Sequence, residues 1–331
     1  MVFTNNIITN ITGGSSSMYG IYQGYCAACT INGNTVSGWT GSGAIYGITF
    51  GNSSAPTSLT VYNNNVNGLN TSGAVAVYGL QNVAGTLNNI YKNKVYNLQV
   101  NNVSGLVYGI YVSAGTLSNI YNNFVSDLRA PLATGLVAVN GIYIAGGITI
   151  NAYYNTVYLN ATSSSVSTFG TSGIYKSSTT TSELRNNIIV NVSTPVGIGL
   201  TVAYRWSGAY NAAYYTSTSN NNCFYAGTPG ANNLIFYDGT NSDQTIAAYK
   251  TRVSSRDAST FSELPPFINV STTPYDLHLN TSPATQCEGG GSVVSTPVSI
   301  VDDYDGNARY PNAGYPINPS YPPAAPDIGA D

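Results

Sequence analysis

The sequence predicts an all-β chain wound as a parallel β-solenoid (β-helix), with about seven to eight coils of about 30 residues and an irregular C-terminal segment. Three observations carry this. The line TLNNIYKNKVYNL at 86–98 returns as TLSNIYNNFVSDL at 116–128, with each residue displaced by 30 positions. An Asn followed two places later by an aliphatic residue recurs at Asn5, Asn34, Asn64, Asn93, Asn123, Asn155 and Asn186, at intervals of 29 to 32. A second landmark, a glycine before Ile or Leu, alternates with it at Gly20, Gly47, Gly79, Gly109, Gly141 and Gly173, at intervals of 27 to 32. Two phases that drift together mark a structural repeat.

The period excludes the other repeat folds. Neither landmark follows the i, i+3, i+4, i+7 spacing of a helix. Propeller blades need about 40 or more residues, and leucine-rich repeats carry a denser leucine ladder. In a solenoid the coils stack about 4.8 Å apart, so equivalent residues lie on one another. Ile90 then stands between Val61 and Ile120, and the aliphatic positions Ile7, Val36, Val66, Val95, Val125, Val157 and Ile188 form an inner ladder. The recurring Asn is expected in the left-handed conformation of a sharp turn, its amide bonded to the Asn of the next coil. An eighth position is Asn221, before Cys223. The glycine supplies a bend that turns Ile110 inward and Tyr111 outward. The repeat covers 1–220, and 221–331 is an irregular cap on the same domain.

Composition fits this reading. Charged residues make up 7% of the chain, against about 25% ordinarily. A charge repeated once per coil would face its own copy at about 4.8 Å, so Asn, Ser and Thr take its place. The net charge is −3 with only 10 Lys and Arg, too little for nucleic-acid binding. No stretch is long and apolar enough to insert in a membrane as a helix. The start MVFTNNIITN carries no leader pattern, so a mature or truncated product is expected. Four cysteines, Cys26, Cys29, Cys223 and Cys287, leave open a local disulfide at CAAC, free thiols, or a Cys223–Cys287 bridge.

Asn ladders, 30-residue coils and parallel strands resemble a right-handed parallel β-helix of the pectate-lyase-like type. The tail reads DLHL at 276–279, SPAT at 282–285, DYDGNAR at 303–309 and PDIGAD at 326–331. It is similar to the C-terminal segment of secreted bacterial β-helix proteins, many of which continue into an anchoring domain. The resemblance implies a secreted, cell-surface protein and leaves the activity open. Within the tail, Arg309 with Asp305 or Asp327 is expected as a cap-fastening ion pair. Asp302, Asp303 and Asp305 suit Ca²⁺ in their donor atoms, but a solvated acidic turn is the simpler expectation, with no cofactor and no metal.

Catalytic inventory is sparse. Hydrolysing a glycosidic bond takes two carboxylates about 5 to 9.5 Å apart. The only acids in 1–220 are Asp127 and Glu183, two coils apart, and the single histidine, His278, lies in the tail. No catalytic residue is assigned. The expected function is a non-enzymatic extracellular structural or surface protein, adhesive or joined end to end, head to tail, with its own copies into a filament. The rival is a carbohydrate-binding or polysaccharide-degrading β-helix. Its platform would be the outward tyrosines Tyr62, Tyr91, Tyr121 and Tyr153, with Tyr111, Tyr143 and Tyr175. The competing account of those rings is self-stacking between coils.

Overall fold

The computed structural model describes residues 1–51, 57–280, 282–315 and 325–331. Three parallel sheets, stacked as a β-solenoid of about eight turns, run along it. The first sheet takes one strand from each coil, from Val2–Thr4 through Leu87–Tyr91 and Leu117–Tyr121 to Thr181–Arg185. The second runs from Ile7–Thr9 to Cys223–Tyr225, and the third from Met18–Tyr22 to Asn233–Tyr237, where Ser242–Asp243 adds an antiparallel edge. The register realises the 30-residue displacement, with Ile90 paired to Val61 and Ile120, and Tyr91 to Tyr62 and Tyr121.

The interior is built from ladders of one residue per coil. Val36, Val66, Val95, Val125 and Val157 are fully buried beneath the second sheet, and Ile48, Leu80, Ile110, Ile142 and Ile174 beneath the third. Each such side chain contributes about 1.5–3 kcal/mol on burial. The bend glycines are sterically required. A Cβ on Gly109 would lie 2.4 Å from Val125 Cγ1 and 2.5 Å from Gly141 O. The bend places Ile110 inside and leaves Tyr111 on the outer face, as expected. Toward the C-terminal end the aliphatic filling gives way to Tyr204, Trp206, Tyr215, Phe224, Phe236 and Tyr249, which plug the interior.

The asparagine ladder exists, with two corrections. Asn34, Asn64, Asn93, Asn123 and Asn155 each donate a backbone N–H and an Nδ2–H to the Oδ1 of the next member, at 2.9–3.2 Å. The end members are Asn6, Asn187 and Asn222 rather than Asn5, Asn186 and Asn221. Each end is an Asn-Asn pair, and the strand register decides between the two: Ile8, not Ile7, pairs with Val36, and Ile189, not Ile188, with Val157. The ladder residue is also not the left-handed one. Positive φ falls on its predecessor in every coil: Asn5, Gly33, Asn63, Lys92, Asn122, Tyr154, Asn186 and Asn221, at 50° to 65°. One residue bends the chain and the next aims its amide into the neighbouring coil.

The C-terminal end is closed. Helix α1, Ile246–Val253, is N-capped by Thr245 and buries Tyr249 and Val253 over the aromatic plug. The remaining chain does not sit on this end as the expected cap. It turns back and runs along the side of the solenoid as a strap. Tyr275, Leu277, Leu279, Cys287, Ile328 and Ala330 pack there on Phe124, Tyr158, Ile188, Val190 and Cys223.

Candidate functional site

The strap docks on the row of left-handed turn residues. Because each turn projects its first residue outward at the same height, five coils present a line of side chains, and the strap bonds to all five. Lys92 Nζ reaches Asp302 Oδ2 at 2.7 Å. Asn122 Nδ2 donates to Asp302 O at 2.7 Å, and Tyr154 OH to Ser292 O at 2.7 Å. Asn186 bonds both the N–H and the C=O of Ser292, and Asn221 Nδ2 donates to Gly290 O at 2.9 Å. Repeat and tail are thus one design, matched coil by coil.

The tail motifs fasten this strap. Arg309 is its hub: Nε donates to Asp302 O, Nη1 to Asp327 O and Asp331 O, and Nη2 to Asn122 Oδ1 and Gly329 O, at 2.7–3.2 Å. All five guanidinium N–H groups are used, and the cation sits 4.1 Å from the centre of the Tyr154 ring. Burial lowers the pKa of Arg309, while Tyr154 and the nearby carboxylates oppose that shift. The expected ion pair with Asp305 or Asp327 is therefore corrected. Arg309 binds main-chain carbonyls, Asp327 accepts from Gly289 N–H and Tyr315 OH, and Asp305 turns to His278. Gly329 has φ +94°, and a Cβ there would meet Ile188 Cδ1 at 2.6 Å, so the strap can lie this close only with glycine.

Asp302, Asp303 and Asp305, the triplet suited to Ca²⁺ in donor type, do not converge. Asp302 pairs with Lys92, Asp303 accepts from Asn307 N–H at 2.8 Å, and Asp305 Oδ2 lies 2.8 Å from His278 Nε2. A different set meets instead: His278, Asp305 and Asp331, with Asp276 on the other ring nitrogen of His278. Burial opposes a charge on His278, but its bond to Asp276 and the charges of Asp331, Asp305 and Asp276 outweigh this and raise its pKa. Sequence reading missed this cluster because its members are separated by 27 and 26 positions along a tail with no period.

The tyrosine columns are present, and their faces are occupied. Tyr62, Tyr91 and Tyr121 stack at 4.9 and 4.7 Å, within 4° of parallel. Tyr121 and Tyr153 are covered by Val294 and Ile300 of the strap, so they offer no open platform. On the third sheet Tyr143 stacks on Tyr175 at 4.7 Å, and Tyr111 meets Tyr143 edge-on at 5.3 Å. A longer column, Tyr19–Tyr46–Tyr78–Tyr108 with spacings of 4.5–5.0 Å, stands beside them. Its signal was the tyrosine before the glycine in YGI, three places upstream of the tyrosine that the sequence reading singled out.

The two acids of the repeat lie on different sheets, each with an arginine two residues on. Asp127 is 3.4 Å from Arg129, in the second sheet. Glu183 is 2.8 Å from Arg185, in the first, at an angle that makes this a charge contact and not a hydrogen bond. They form no hydrolytic pair. Asp127 lines a cleft of about 180 Å³ with Arg129, Asn160, Thr162, Thr273 and Tyr275. Burial raises its pKa, against the pull of Arg129 and Thr273.

The four cysteines are free thiols, so neither disulfide considered from the sequence is formed. Cys29 points into the interior, above Leu59. Burial and the neighbouring Cys26 push its thiol up to about 11. Burial likewise pushes Cys287 up, with Cys223 beside it. Comparison with protein-family models, curated proteins and solved structures finds no match to this chain.

Proposed function

We propose that this chain is a non-enzymatic structural solenoid, a stiff rod displayed outside the cell. One observation carries the reading: the outward aromatic side chains stack on their own copies from coil to coil, at 4.5–5.0 Å in the columns through Tyr78 and Tyr91. A ring stacked on both faces stabilises the rod and has no face left for a sugar. The extracellular assignment rests on the similarity of the DLHL, DYDGNAR and PDIGAD segments to the closing segment of secreted bacterial pectate-lyase-like β-helix proteins.

Association with its own copies belongs to this proposal, and the two ends contribute differently. Among the described residues, the strands Val2–Thr4, Ile7–Thr9 and Met18–Tyr22 each have one edge without a strand partner, and such edges template strand addition. The opposite end is covered by α1, by Phe261 on the second sheet and by Ser242–Asp243 on the third. In this proposal, end-to-end pairing would use the first-coil edges. Electron microscopy should show rods, single or joined at one end, and a glycan array should stay blank. A polysaccharide bound or cleaved, with the effect lost in Tyr78→Ala, would overturn the reading.

A second reading has its own observation. In the cleft, Arg129 Nε is buried beside Asp127 without a hydrogen-bond partner among the described residues, as befits a subsite for one polar sugar ring. Loss of a measured glycan affinity on Arg129→Ala, with the fold intact, would favour it.

A further inference from the structure

We infer that His278, Asp305 and Asp331 form a binding site for a divalent metal ion of the zinc type, which clamps three segments of the strap together. The residues come from the strand Asp276–Leu279, the turn at 303–309 and the final segment at 327–331. One ligand atom from each lies within 4.8 Å of the other two, and His278 Nε2 is 2.8 Å from Asp305 Oδ2. An ion roughly 2.1 Å from each donor would draw the three atoms about it, and the exposed Asp305 side chain is free to adjust.

Two features outside the triad point the same way. Asp276 bonds His278 Nδ1, so the ring presents Nε2 to the carboxylates. A metal-ligating imidazole is normally oriented by such a carboxylate partner. The neighbouring cations also leave Asp305 open. The Arg309 guanidinium spends its N–H groups on carbonyls and Asn122, Lys92 is paired with Asp302, and Lys94 adds its charge at Asp276. Among the described residues Asp305 has His278 alone within salt-bridge distance. The donor set selects the ion: one imidazole and two carboxylates suit zinc-type ions, with water completing four ligands. Ca²⁺ takes 6–8 oxygens, more than these side chains supply.

The test is calorimetric titration of the chelator-stripped full chain with Zn²⁺, and with Co²⁺ as a spectroscopic probe. We expect one equivalent to bind at His278. Affinity should fall at least tenfold in Asp305→Asn, whose side chain is exposed and whose fold should survive. It should fall about 10–100-fold in Asp276→Asn, which removes only the orienting partner. The Co²⁺ spectrum should show ligand-field bands without thiolate charge transfer. Absence of saturable binding, wild-type affinity in both Asp305→Asn and His278→Gln, or a thiolate band placing the ion on the cysteines would overturn the assignment.

Discussion

Asn222 Nδ2 donates to Asp257 Oδ1 at 3.0 Å, and with that bond a ladder of eight asparagines ends on a carboxylate. Each ladder amide donates one N–H toward the C-terminal coil, so the last one needs an acceptor with no further neighbour to serve. Asp257 supplies it, and also accepts from Thr260 Oγ1, Tyr215 OH and Tyr249 OH at 2.6 Å. Asp257→Ala would strand four buried donors. Hydrogen bonds to a charged group contribute about 1.5–3 kcal/mol each, partly offset when the charge itself is removed. The expected loss is about 3 kcal/mol or more by urea denaturation; a change under about 1 kcal/mol would show that the ladder needs no terminator.

The register of the ladder gives a paired test. Asn187→Ala removes amide bonds to Asn155, Asn222 and Ala152 O inside the coil, and should cost about 2–4 kcal/mol of global stability. Asn186→Ala, one residue earlier, keeps the ladder and removes the contact to Ser292. Its signature should be faster amide exchange at 290–294, with the interior strands still protected. Interchanged phenotypes would restore the assignment of Asn186 to the ladder.

That pair also shows what the sequence could and could not disclose. Period, strand direction and inner ladders were legible because each residue type recurs at one height. Asn34, Asn64, Asn93, Asn123 and Asn155 were placed correctly, since only one Asn of each turn stood two before the aliphatic residue. At 5–6, 186–187 and 221–222 two asparagines compete, and only strand pairing separates them. The strap was legible as motifs but not as a path, because its partners on the turn row lie 69 to 210 positions away and follow no period.

Arg309 should not tolerate lysine. A lysine supplies three donors from one point where five are used in a fixed fork, and it cannot lie flat on Tyr154. Arg309→Lys should cost about 3 kcal/mol and open the strap first. Hydrogen exchange should rise across 300–309 and 325–331, while the strands from Leu87 to Tyr121 stay protected. Uniform loss of protection along the chain would mean that the strap and the coils unfold as one unit.

Lys176 makes stability depend on pH. It occupies the inner ladder of the third sheet between Ile144 and Trp206. It is fully buried, 3.5 Å from the centre of the indole ring, and donates to Thr180 O and Tyr214 O. With no carboxylate beside it among the described residues, desolvation brings its pKa down from 10.5 to about 7. Between those values the unfolded chain holds a proton that the folded chain lacks, so this group makes stability rise with pH. The penalty is greatest below pH 7, where both states are protonated, and vanishes above 10.5. The buried thiols and tyrosines have raised pKa values and act in the opposite sense at alkaline pH, so the readout is the difference between wild type and Lys176→Met. That difference should change by about 2 kcal/mol from pH 7 to pH 9, with the variant gaining most at the lower pH. A gap independent of pH over this range would mean that Lys176 stays charged in the folded chain throughout it.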